Sequence, residues 1–92
     1  MVIGLLMLDL HIPEAGSLKS KRYVLKSLKD RLKKKFNVAI AEEGSDLWQR
    51  VTLYAVTVSN DKQLLNSTLD NVKNMVEREP LLELLNYKME IL

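Results

Sequence analysis

"VIGLLMLDLHI", residues 2–12, is the stretch on which the fold turns. Its polar side chains, Asp9 and His11, both fall on odd positions. Val2, Leu6, Leu8, Leu10 and Ile12 therefore form an apolar even face. A period of two marks a β-strand. The odd face is itself mostly apolar through Ile3, Leu5 and Met7. Such a strand belongs at the centre of a sheet, covered strongly on its even side. Pro13 and Gly16 then signal a turn.

The next segment, "SLKSKRYVLKSLKDRLKKKF" (17–36), changes period. Ser17 is a suitable N-cap, and Leu18, Leu25, Leu28 and Leu32, with Val24 and Phe36, make the buried stripe of a helix that ends near Asn37. "NVAIAEEG" (37–44) is a short strand with Val38 and Ile40 inward, and Gly44-Ser45-Asp46 forms a loop. "LWQRVTLYAVTVS" (47–59) alternates Val51, Leu53 and Ala55 against Trp48, Arg50, Thr52, Tyr54 and Val56, a β-branched and aromatic strand. Asn60 or Asp61 caps a second helix. Its core stripe is Leu65, Leu69, Val72 and Val76, flanked by Leu64 and Met75, and Pro80 stops it. The last strand places Leu85, Tyr87, Met89 and Ile91 on one face and Asn86, Lys88 and Glu90 on the other. The order is β-α-β-β-α-β. Right-handed crossovers sharing an antiparallel hairpin predict an α+β, ferredoxin-like sandwich. The four-stranded antiparallel sheet is expected in the order 4-1-3-2, with both helices on one face and residues 1–92 forming a single domain.

The composition, 47% hydrophobic and 28% charged over 92 residues, is that of an ordinary globular domain. The chain has no cysteine, which excludes disulfides, thiolate metal sites and cysteine nucleophiles. The apolar start lacks a basic n-region and is interrupted by Asp9, unlike a signal peptide. No run reaches the roughly 20 apolar residues of a membrane span. A cytoplasmic protein without a membrane segment is expected.

Charge is segregated. Residues 17–36 hold nine basic side chains and one acid, Asp30, while the whole chain is only +2. Lys19, Arg22, Lys26, Lys29 and Lys33 step by three and four, forming one stripe about 21 Å long on the outer side of the first helix. Lys21, Arg31, Lys34 and Lys35 widen it. A solvated face ordinarily mixes signs. A face of one sign attracts phosphates and releases their counterions. Structured RNA or the ribosome is the expected partner, recognised by shape or backbone, since the stripe shows no Asn, Gln or aromatic reader.

The open face of the sheet is the second surface to explain. Ile3, Leu5, Met7, Ala39, Ala41, Trp48, Arg50, Tyr54, Val56 and Val58 should share it, a large apolar patch for a monomer. The first strand has no aromatic, so the paired aromatics of an RNA-recognition motif are missing. A homodimer or partner interface through Ile3, Leu5, Met7, Trp48, Tyr54 and Val56 is the alternative function.

Catalytic patterns are sparse. His11 is the single histidine, and with Asp9 it offers an acid–base pair or two metal ligands, too few for a metal site. With Arg50 these two residues form the one enzyme or sensor constellation to test. Glu42, Glu43 and Asp46 cluster at the hairpin and read as an exposed acidic turn. The three glycines are too dispersed for a phosphate loop. The expectation is a non-enzyme with no catalytic residues, no metal and no cofactor.

Three segments together carry a resemblance: "SLKSKRYVLKSLKDRL" (17–32), "FNVAIAE" (36–42), and "DLWQR" (46–50) followed by a strand ending in "VSND" (58–61). They resemble the YlxP-like family of small bacterial proteins, a domain of unknown function, over about residues 2 to 90. The resemblance implies a ferredoxin-like fold. Because such proteins are often encoded beside translation-initiation and ribosome-maturation factors, it also implies a role near the ribosome. The family commonly has serine where Ala39 stands, so any chemistry of that serine is not implied for this chain. No activity or catalytic residue follows from the likeness.

Overall fold

A computed structural model describes residues 1–13, 18–44 and 49–92. Ser17, Gly16, Ser45, Asp46 and Trp48 lie outside these residues. The elements are β1 (Val2–His11), α1 (Leu18–Lys35), β2 (Ala39–Glu43), β3 (Arg50–Ser59), α2 (Lys62–Glu77) and β4 (Glu83–Ile91). The sheet runs β2-β3-β1-β4 with every neighbouring pair antiparallel, which is the expected 4-1-3-2 order read from the other edge. The fold is the ferredoxin-like βαββαβ sandwich.

β1 is the central strand. It pairs with β3 along its whole length and with β4 on its other edge, so its backbone groups are satisfied on both sides. Leu6, Leu8, Leu10 and Ile12 are buried under the helices. Val51, Leu53 and Ala55 of β3 continue the same layer. Leu25, Leu28 and Leu32 of α1 and Leu65, Leu69, Val72 and Val76 of α2 close it from above. Val38 and Ile40 pack at the margin. Asp61 caps α2, its Oδ1 accepting from the backbone N–H groups of Gln63 (2.9 Å) and Leu64 (3.2 Å). Three lysines in the last turn of α1, Lys33, Lys34 and Lys35, complement the negative end of the helix dipole.

Among the described residues two polar side chains enter this layer, and each is satisfied. Thr57 Oγ1 donates to the Asn37 carbonyl at 2.7 Å. Lys21 is 6% exposed, and its Nζ donates to the Arg50 carbonyl at 3.1 Å. The lysine stem thus extends the apolar face of α1 while its head ties the helix to the start of β3.

β4 differs from the sequence expectation at one residue. The pairing with β1 shifts between Asp9 and Leu10, so Asn86 faces Asp9 while Leu84 faces Leu10. The extra residue at this irregularity is Leu85. Leu84 takes the core-side position, and Leu85 turns to the open face, where it is exposed beside His11. A strict period of two cannot foresee such a slip.

Gly4 sets the distance between β1 and α2. A Cβ built there would lie 2.5 Å from Leu65 Cδ2 and 2.8 Å from Leu69 Cδ1. Both leucines are buried, so neither has free space to retreat into. Gly4→Ala should therefore destabilise the protein by about 1–3 kcal/mol, lowering the thermal midpoint by several degrees. Urea unfolding of the variant checks this, and an unchanged midpoint would contradict the close packing described.

Candidate nucleic-acid interface

α1 presents its core stripe to the sheet and the remainder of its circumference to water. Four of the five expected phosphate contacts, Lys19, Arg22, Lys26 and Lys33, are exposed. Lys29 is different. Its ammonium is paired with the Glu42 carboxylate of β2, and only 24% of its side chain is exposed. Lys29 therefore ties α1 to the sheet edge rather than joining the outer stripe. Lys26 Nζ meets Asp30 Oδ2 one turn on at 3.1 Å, with both side chains mostly in water. An exposed i,i+4 pair of this kind contributes about 0.3–0.5 kcal/mol and yields readily to a competing anion.

Relief of the charge crowding comes from further along the chain than Asp30. Arg31 Nη2 donates to Glu79 Oε2 at 2.7 Å, where the acid is 8% exposed, and its Nε donates to the Ser27 carbonyl at 3.3 Å. Lys21 is buried on the Arg50 carbonyl. Lys35 lies 5.7 Å from the centre of the Phe36 ring. Lys21, Lys29 and Arg31 are thus fixed to the rest of the fold. Lys19, Arg22, Lys26, Lys33 and Lys34 form the exposed cationic face.

That face also carries an aromatic side chain. Tyr23 is 74% exposed and borders an open hollow lined by Lys26, Ser27, Asp30 and Arg31. It stands four residues after Lys19 and three before Lys26, so all three share one side of the helix. The spacing is present in the sequence, but a stripe defined by charge alone does not include it.

The open side of the sheet divides into two ends. Ile3 (41%), Val56 (37%) and Val58 (52%) are exposed together, with Leu5 and Met7 half-buried and Ala39 and Ala41 beside them. The other end is polar. His11 pairs across strands with Arg50 and with Glu83, and Asp9 with Thr52. Asp9, His11 and Arg50 are therefore neighbours on β1 and β3, as expected, and His11 and Arg50, with Gln49 and Leu85, line a shallow depression that Asp9 does not reach. Asp9 and His11 have different partners, however. Thr52 Oγ1 donates to Asp9 Oδ1 at 2.8 Å, and His11 Nδ1 lies 3.4 Å from Glu83 Oε1. The hairpin acids Glu42 and Glu43 belong to β2 rather than to a turn, and they hold Lys29 and Tyr54. Among the described residues no cluster of three or more His, Cys, Asp or Glu side chains could hold a metal ion, and no helix is long and apolar enough to cross a membrane.

Fold and surfaces together define a small ferredoxin-like domain with one cationic helix face and one partly apolar sheet face. The chain belongs to a family described as a protein of unknown function (DUF503), whose model matches residues 3–89. It is 37% identical over 83 residues to the uncharacterized protein YlxP of Bacillus subtilis (strain 168), a match covering 89% of this chain and 90% of that protein. Among solved structures it is similar to the de novo designed protein Foldit4, with a TM-score of 0.53 and 13% identity, covering all of this chain and 94% of the design. A second design, Ferredog-Diesel, aligns with a TM-score of 0.48 and 9% identity over 96% of this chain and 83% of the design.

Tyr54 reports on the polar end of the sheet. Its hydroxyl donates to Glu43 Oε1 at 2.9 Å, and this bond, then desolvation and the charges of Glu43 and Asp9, raise its pKa above the ordinary tyrosine value. The neutral phenol is thus favoured by folding. Its contribution is fully present below the ordinary tyrosine value and is lost as pH rises through the raised one. With Tyr23 and Tyr87 replaced by Phe, phenolate absorbance should rise at lower pH in Glu43→Gln than in the parent. Identical titration curves would contradict the bond.

Proposed function

We propose that the protein is a non-catalytic RNA-binding module, with ribosomal RNA among its candidate ligands, which grips phosphates with Lys19, Arg22, Lys26 and Lys33. The observation that carries this reading is the exposure of these cations on one helix face, while the acids Glu42 and Glu79 are engaged by Lys29 and Arg31. The ligand should be held mainly through its backbone, because lysines act as point charges that all sequences satisfy alike. The separate partners of Asp9 and His11 support leaving catalysis out.

Four phosphate contacts on single-stranded RNA correspond to a slope near −3 in log K against log salt, about −0.7 per contact. Lys19→Gln/Lys26→Gln/Lys33→Gln should weaken binding to ribosomal subunits and to bulk RNA alike and flatten the slope to about −1. Salt-independent affinity, or an unaffected triple variant, would refute the mechanism. Lys29 is kept intact in this test because its pair with Glu42 joins α1 to β2.

The exposed Ile3, Val56 and Val58 support a second, compatible reading, in which a second copy of this chain covers the open sheet face. A four-stranded face with strands of this length offers about 600 Å² per copy, the low end for a stable dimer. Dilution should thus dissociate it, and Val56→Glu should leave a folded monomer by sedimentation. A wild-type chain that remains monomeric at high concentration would remove this reading.

A further inference from the structure

We propose that Tyr23 is a stacking platform for an unpaired RNA base, so that the segment recognised is single-stranded, as in a loop or bulge. The inference rests on the RNA reading above and makes its ligand specific.

The three tyrosines of the chain have different surroundings. Tyr54 is held by Glu43, and the Tyr87 ring lies 4.7 Å from Lys73 Nζ. Tyr23 is the most exposed of the three, on a rigid helix and in the middle of the cationic face. Its exposed ring offers a flat apolar face edged by a hydroxyl. It suits a ligand with a flat apolar face, and every base has one. The hollow beside the ring gives such a base a place to lie. Its wall supplies the Ser27 hydroxyl and the Asp30 carboxylate, and the carboxylate only accepts hydrogen bonds. Lys26 and Arg31 stand in the same wall, and Asp30 already accepts from Lys26 at 3.1 Å; its remaining lone pairs suit the N–H edge of a base, while the neighbouring cations suit the adjoining phosphate. Bases in an A-form duplex are stacked inside the helix and cannot reach such a platform, whereas those of loops and bulges can.

The test compares Tyr23→Ala, Tyr23→Phe and the triple lysine variant on a short oligoadenylate and on an RNA duplex of equal length, with a melting curve for each protein. Tyr23→Ala should lose about tenfold in affinity for the oligoadenylate, keep its salt slope and bind the duplex as the parent does. Tyr23→Phe should behave as the parent. If Tyr23→Ala binds both ligands normally, or loses both equally, the stacking role is overturned. The charge reading then still stands where the triple lysine variant is defective. If the wild-type protein binds neither RNA at low salt, both readings fall together.

Discussion

The close seating of α2 on β1 is the constraint on which the rest of the structure depends. β1 supplies the central ladder, its even face supplies the deepest core residues, and Gly4 lets Leu65 and Leu69 approach the backbone. With the helices fixed on one side, the opposite side of the sheet must remain open. The outer side of α1 is likewise committed to water. Both candidate binding surfaces are thus consequences of how one strand is covered.

The fold was legible because its signals are local. The two periods, the β-branched run of β3 and the Asp61 cap are each contained in a few consecutive residues. Leu85 was misplaced because a ladder irregularity opposite Asp9 and Leu10 reverses its side, and nothing in the spacing of β4 records that. The site was legible only in outline. The helical spacing of Lys19, Arg22, Lys26, Lys29 and Lys33 gave the stripe, but the withdrawal of Lys29 depends on Glu42, thirteen residues away and on another element. Lys21 and Arg31 were reassigned for the same reason, by the Arg50 carbonyl and by Glu79. Tyr23 could have been found from its spacing to Lys19 and Lys26.

These reassignments sharpen the basic helix. Three of its cations stabilise the fold, through a half-buried pair, a bond to a nearly buried acid and a bond to a backbone carbonyl. Such contacts are short and specific, so they offset the repulsion that nine like charges on one segment would otherwise create. Lys19, Arg22, Lys26, Lys33 and Lys34 remain exposed on the outer side of the helix. Their concentration on one side, around a large exposed ring, supports the proposed contact with RNA. The apolar end of the sheet lies on the other side of the domain, so a second copy seated there, as proposed, would leave the outer side of α1 uncovered.

The most direct measurement is a backbone amide NMR titration of the labelled protein with a short single-stranded RNA at low salt. Shifts are expected to concentrate between residues 19 and 34 of α1, with the strongest near Tyr23 and Lys26 and little change on β1 and β3. Shifts concentrated on the open sheet face around Ile3, Met7 and Tyr54 instead would contradict it and transfer the binding role to the sheet.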